Sequence, residues 1–251
     1  MGDRAGEGGA YTNLGVAYIH LGDFTKAIEC IHQHLSIAKE LGDRAGEGGA
    51  YANLGIAYLK MGDLRKVIEY RQLQLSIAKE LGDRPGEADA CNNLGLAFCT
   101  VSNFRKAIEY HQLHLSIAKE LENKAGEGGA YANLGTVYLH LGEFKKAIEY
   151  HKMHLSIAKE VGDKAGEGGA YTNLGIAHLR LGDFKKAIEY NELQLTIAKD
   201  VGDRVQEGGA YTNLGMAYRN LGDFQKAFEC HKQHLNISKE VGDRVGEGIA
   251  N

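Results

Sequence analysis

Apolar and polar positions along this chain follow a helical period, and the pattern restarts every 40 residues. Tyr11-Thr12-Asn13-Leu14-Gly15 returns as Tyr51-Ala52-Asn53-Leu54-Gly55, Tyr171-Thr172-Asn173-Leu174-Gly175 and Tyr211-Thr212-Asn213-Leu214-Gly215. A Gly-Asp step recurs at Gly2-Asp3, Gly22-Asp23, Gly42-Asp43, Gly62-Asp63 and Gly82-Asp83. Glycine suits the left-handed position that closes a helix, and aspartate accepts from the free N–H groups that open the next. Each repeat is therefore predicted as an antiparallel pair, helix A over residues 4–21 and helix B over 24–41 in the first copy. On a wheel of about 100° per residue, Ala10, Leu14, Ala17, Tyr18 and Leu21 share the apolar sector of helix A. Phe24, Ala27, Ile28, Ile31, Leu35 and Ala38 form the facing stripe of helix B, with Lys26, Glu29, Gln33, Lys39 and Glu40 on the solvent side. Gly15 and its equivalents let the two helices approach closely.

Repeats of this length cannot bury an apolar face alone, so they stack, and the fold class is all-α: a right-handed α-solenoid of helix pairs. The expected organisation is one solenoid over 1–251, with repeats at 3–42, 43–82, 83–122, 123–162, 163–202 and 203–242 and the start of a seventh at 243–251. A single proline, Pro85, suits uninterrupted helices.

The formal net charge of -4 offers no basic field for nucleic acid or an anionic membrane. Without a signal peptide or a long apolar run, a cytoplasmic location is the default expectation. Cys30, Cys91, Cys99 and Cys230 fall in apolar slots without common spacing and are expected to be small buried hydrophobes.

Candidate chemistry lies opposite the apolar sector of helix A. Val16, Ile56, Leu96, Thr136, Ile176 and Met216 form one row, and Ile19, Leu59, Cys99, Leu139, Leu179 and Arg219 another. These positions sit about 140° to 180° from Leu14, where a lone helix pair would be polar. If the A helices line a concave surface, the rows make an aliphatic groove, the kind of exposed apolar patch that binds a partner. If neighbouring A helices cover them, the rows are packing only. Asn13, Asn53, Asn93, Asn133, Asn173 and Asn213 rim the rows with His20, Lys60, His140, Arg180 and Asn220. An amide that donates and accepts can hold an extended peptide backbone or bridge to the next repeat.

The run Tyr-x-Asn-Leu-Gly-x-x-Tyr, Leu-Gly-Asp-Phe, Lys-Ala-Ile-Glu-Tyr resembles the tetratricopeptide repeat, over the whole chain. Its 40-residue form is similar to the LGN/Pins polarity adaptors and to long-array animal tetratricopeptide proteins, although Lys39 stands where a proline often closes helix B. The resemblance implies a protein-interaction scaffold. In the LGN-type groove it implies an Arg before the helix-A Ala and an Asn after Leu-Gly; here Gly9, Gly49, Asp89, Gly129, Gly169 and Gly209 fill the first place and the aliphatic row fills the second. Only the Asn13 series carries over, so the expected partner is an apolar-rich protein or peptide rather than an LGN-type acidic one.

The pairs His111/His114, His151/His154 and His231/His234 share a helix face but lack a third ligand, and half-exposed packing is expected of them. Glu7 and its equivalents are expected on the helix-A surface. No nucleophile-base pair or phosphate loop stands out, so no enzyme activity, cofactor or metal is expected. The third repeat departs most, with Pro85, Asp89, Cys91, Val101-Ser102-Asn103 and Glu122-Asn123; drift in a tolerant array is the expectation, a looser joint the alternative. At the ends, Phe228, Leu235 and Ile237 are expected to be partly uncovered, which suits a piece of a longer array or end-to-end stacking.

Overall fold

A computed structural model describes residues 3–242; the expected seventh repeat, 243–251, lies outside the described residues. The described residues form helices α1 (Arg4–Leu21), α2 (Phe24–Leu41), α3 (Arg44–Met61), α4 (Leu64–Leu81), α5 (Arg84–Thr100), α6 (Phe104–Glu120), α7 (Lys124–His140), α8 (Phe144–Val161), α9 (Lys164–Leu181), α10 (Phe184–Asp200), α11 (Arg204–Leu221) and α12 (Phe224–Val241), with no strand among them. The first pair has the bounds expected from the sequence. Packing divides the chain into two compact units, Met1–Asn123 and Lys124–Asn251. Within each, every helix packs on the next in sequence, so each unit is a stack of hairpins, the construction of an all-α solenoid.

The turns work as the Gly-Asp step requires. Gly42 takes φ 68°, the Asp43 N–H donates to the Ala38 carbonyl at 2.8 Å, and the Gly46 N–H donates to Asp43 Oδ1 at 2.8 Å. One dipeptide thus ends α2 and caps α3. Arg44 bridges Glu80 at 2.5 Å, from the first turn of α3 to the last of α4, which fixes that pair as antiparallel. Arg4–Glu40, Arg84–Glu120 and Arg204–Glu240 repeat the brace. Such exposed pairs are screened by water and orient the helices more than they stabilise them.

In the second, third and fourth hairpins the aromatic slots stack: Tyr58 on Tyr70 at 5.4 Å between centroids, Phe98 on Tyr110 at 5.5 Å, Tyr138 on Tyr150 at 5.3 Å. Between the hairpins of each unit the leucine of helix A fills the interface, and Leu54, Leu94 and Leu174 are all 0% exposed. Removing one such side chain costs about 2–5 kcal/mol. Leu14, in the first helix, is 48% exposed because no hairpin precedes α1 in this structure.

Three expectations are corrected. Glu47, Glu87, Glu167 and Glu207 are buried, not on the surface, and each is ion-paired in its first turn, to Arg44, Arg84, Lys164 and Arg204. The preceding hairpin covers that turn, and only Glu7, which has none before it, stays exposed. At the other end Phe228 is 64% exposed and Leu235 half-buried, but Ile237 is buried against the Gly208 face. Asp89 is not drift. It accepts from Arg71 Nη1 at 3.0 Å and from Gln74 Nε2 at 3.1 Å, and so offsets a guanidinium that is only 4% exposed.

The third repeat keeps its turns without glycine. Ser102 and Glu122 adopt φ 57° and 52°, and Asn103 and Asn123 still donate to Phe98 and Ala118 at 2.8 Å. Holding a side chain in the left-handed region costs about 1–2 kcal/mol. Ser102→Gly and Glu122→Gly are each expected to stabilise the chain by roughly 0.5–1 kcal/mol in urea unfolding; an unchanged midpoint would mean that these turns carry no strain.

Candidate binding groove

In each unit the candidate rows lie toward the C-terminal ends of the A helices. In the first unit Val16, Ile19, Asn53, Ile56 and Asn93 are half-buried, Asn13 is exposed, and Leu59 and Leu96 are 47% and 44% exposed. In the second unit Asn133, Thr136, Leu139, Asn173, Ile176, Leu179, Asn213 and Met216 are all half-buried. None of the rows is sealed in the core.

In the second unit these residues line two adjoining clefts. One, of about 510 Å³, is lined by Thr136, Leu139, His140, Asn173, Ile176 and Arg180, with Gly142 and Phe144 from the turn into α8. The other, of about 650 Å³, is lined by Ile176, Leu179, Arg180, Asn213, Met216, Arg219 and Asn220, with Leu181, Gly182 and Phe184 from the turn into α10. Ile176 and Arg180 belong to both, so α9 is the shared wall. The sequence pattern missed Phe144 and Phe184, because a wheel assigns them to the core stripe of helix B. Their place beside the turn, next to the end of helix A, was the available signal.

Electrostatically the clefts carry Arg180 and Arg219 and no carboxylate in their lining. Neither arginine makes an ion pair among the described residues. Asn53, Asn173 and Asn213 make no side-chain hydrogen bond, so their amides are free to donate and accept. Asn93 differs, since its Nδ2 donates to the Asp89 carbonyl and carboxylate, both at 2.9 Å.

The histidines belong to packing. His111 and His151 are 1% and 0% exposed rather than half-exposed, a correction whose cause lies in the facing helix. A Cβ added to Gly135 would come within 2.5 Å of the His151 ring, so the glycine is the seat that admits it. Asn191 takes the same seat against Gly175. Among the described residues no cluster could hold a metal ion, and Cys30, Cys91, Cys99 and Cys230 are all free thiols. Cys91 is 1% exposed, and burial pushes its thiol up to about 11. No helix among the described residues is long and apolar enough to cross a membrane.

Hairpins of this kind, stacked through small-residue contacts with a ridged A-helix face, define a helical-repeat protein. Residues 7–72 and 127–200 match one model of the tetratricopeptide repeat, and residues 90–125 and 210–245 match a second. The chain belongs to the tetratricopeptide-repeat family, whose repeats generally serve as protein-interaction scaffolds. No curated protein matches it. Among solved structures it is similar to a Signal Transduction ATPase with Numerous Domains (STAND) protein with a tetratricopeptide repeat sensor from Pyrococcus horikoshii, at 20% identity and TM-score 0.87 over 99% of this chain and 39% of that one. It is also similar to BtubC from P. vanneervenii, at 20% identity and TM-score 0.72, covering 97% of this chain and 94% of that one. A third, aspartyl phosphate phosphatase F from Bacillus subtilis, gives 18% identity and TM-score 0.78, covering 88% and 58%. The chain therefore spans about two fifths of the STAND protein's length. At these identities the likeness concerns the fold.

Burial holds the His111 and His151 imidazoles down to about 4, reinforced by the neighbouring His114 and His154. Above an ordinary histidine pKa of about 6.5 the rings are neutral folded and unfolded, and nothing is lost. Between there and about 4 the unfolded chain takes up protons that the folded chain refuses, so stability falls by about 3 kcal/mol per ring, then levels off. His151→Asn, which copies Asn191, is expected to lose less stability than the parent between pH 7 and pH 4.5 in urea unfolding; equal losses would place the acid sensitivity elsewhere.

Proposed function

We propose that this chain is a non-enzymatic, cytoplasmic interaction scaffold that binds an extended, apolar-rich segment of a partner protein along the A-helix rows. One observation carries the proposal: Ile176, Leu179 and Met216 stand half-exposed in a cleft although folding alone offers no reason to leave them there. The free amides of Asn173 and Asn213 would hold the segment's backbone. Arg180 and Arg219, with no carboxylate beside them, favour a segment flanked by acidic rather than basic residues. The full groove proposed is Asn13, Val16, Ile19, Asn53, Ile56, Leu59, Asn93, Leu96, Asn133, Thr136, Leu139, Asn173, Ile176, Leu179, Asn213 and Met216.

Selection from a displayed library of extended peptides tests it. The parent chain is expected to enrich an apolar motif, and Ile56→Asp with Ile176→Asp is expected to abolish the enrichment while the circular dichroism spectrum is kept. An enriched motif that binds the double variant equally well would remove the groove from the account.

A second reading rests on the end faces. Phe224 and Phe228 on α12 are 71% and 64% exposed, and Leu14 and Leu21 on α1 are 48% and 78% exposed. The slot of Leu14 is what a preceding hairpin covers at every interior repeat, so one copy's α12 could serve another copy's α1. Sedimentation of the parent chain is expected to show concentration-dependent association that Phe228→Asp suppresses; a monomer at all concentrations would end this reading. A regulatory segment of a larger signalling protein is compatible with the STAND similarity and with the same groove.

A further inference from the structure

At the opposite ends of the A helices lies a different feature. A crevice of about 200 Å³ opens between the first turns of α9, the last turns of α10 and the start of α11. Its floor is Gly168 and Gly169, its apolar walls include Ile197 and Val201, and Gln194 and Gln206 supply its polar wall, with Lys164 and Asp203 also in the lining. A Cβ at Gly169 would meet nothing within 4 Å, so the glycine leaves real space. Gln194 is 1% exposed, and its Oε1 has no hydrogen-bond partner. An unsatisfied buried acceptor costs about 1–3 kcal/mol.

The first unit contains the same crevice, floored by Gly48 and Gly49 and walled by Gln74, and there the chain satisfies the glutamine itself. Arg71 Nη1 donates to Gln74 Oε1 at 2.8 Å, and Asp89 offsets the charge that this donor brings. At the later crevice the place of Arg71 is taken by Asn191, whose Nδ2 donates to the Ala187 carbonyl at 2.7 Å, and the place of Asp89 by Gly209, with open space around it. Both the donor and its counter-charge are missing. Lys164 at the rim is already paired with Glu167 at 2.8 Å. Asp203 also lines the crevice, but it is exposed and its Oδ1 caps α11 by accepting from the Gln206 N–H at 2.9 Å. The carboxylate that offsets the buried donor on Gln74, that of Asp89, has no counterpart at Gly209, so a neutral donor fits Gln194 better.

We propose that this crevice is a second binding site, for a compact neutral aliphatic group that donates one N–H or O–H hydrogen bond to Gln194, a short primary amide being its simplest form. The Gln194 amide is held only by its Nε2, which donates over 3.4 Å to the Gln206 carbonyl and 3.3 Å to the Gln206 Oε1. Its terminal torsion is soft, so the oxygen turns to an incoming donor at small cost. This site is separate from the A-helix rows and does not rest on them.

The test uses the full chain with labelled methyl and side-chain amide groups, and two probes of equal size, propionamide and propylammonium. Saturable shifts at Ile197, Val201 and the Gln194 amide are expected with propionamide at millimolar concentration, and none with propylammonium. Gly169→Val, which fills the open space, is expected to weaken propionamide roughly tenfold or more, and Gln194→Met to remove the response. Gly209→Asp restores the missing carboxylate and is expected to turn the preference toward propylammonium. If Gly169→Val does not fold, Gln194→Met and Gly209→Asp decide the matter. A tripeptide with a central Gln binding better than propionamide assigns the amide to a partner's side chain; the reverse assigns it to a free small molecule. Equal binding of both probes to the parent chain, shifts that survive Gly169→Val or Gln194→Met, or a crystal soaked in propionamide with only ordered water on Gln194 would overturn the proposal.

Discussion

Each repeat depends on one close approach, between the glycine in the middle of helix A and a single residue of helix B. Gly15 faces Ile31, Gly55 faces Arg71, Gly95 and Gly135 face His111 and His151, and Gly175 faces Asn191. A Cβ at any of these glycines would run into that residue, so only glycine allows this helix spacing. Glycine inside a helix costs about 1 kcal/mol relative to alanine. The cost is offset by bringing the two helices close enough for the aromatic slots, such as Tyr138 and Tyr150, to stack across the pair.

That geometry explains the variability of the facing position. Because the seat is made by a missing side chain, it accepts isoleucine, histidine, asparagine or arginine, provided that the polar ones arrive neutral or compensated. His111 and His151 arrive neutral, held so by burial. Arg71 cannot, and the chain answers with Asp89 from the next repeat. The irregular third repeat is in this respect a matched substitution across an interface, and the same pairing shows what the crevice beside Gln194 lacks.

The stacking also decides which surface remains for other molecules. Helix B gives one side to its own helix A and to the next hairpin, and its other side carries charges in water. Helix A gives its leucine sector to the preceding hairpin, while the opposite rows meet only the flanks of neighbouring A helices. Half-exposed aliphatic side chains between Phe144, Phe184 and two unpaired arginines are what this arithmetic leaves over. Membership of the tetratricopeptide-repeat family fits such a surface, and at the low identity to the solved structures the likeness concerns the fold.

The sequence by itself determined the repeat, the bounds of α1 and α2, the double use of Gly-Asp at the turns and the close contact at Gly15, because all of these are local or recur at a fixed spacing. It also placed Ile176, Leu179 and Asn213 on one strip of the A helices. Tertiary structure alone decided that Glu47 and its equivalents are buried in ion pairs, that His151 is sealed rather than half-exposed, and that Asp89 serves Arg71. It decided too that Phe184 joins the cleft. A helical wheel treats each helix as if it stood in water, whereas burial here is also assigned by helices packed against it, whose contacts, such as those of Asp89 with Gln74 and Arg71, lie 15 and 18 residues away in the chain and leave no mark on the local period.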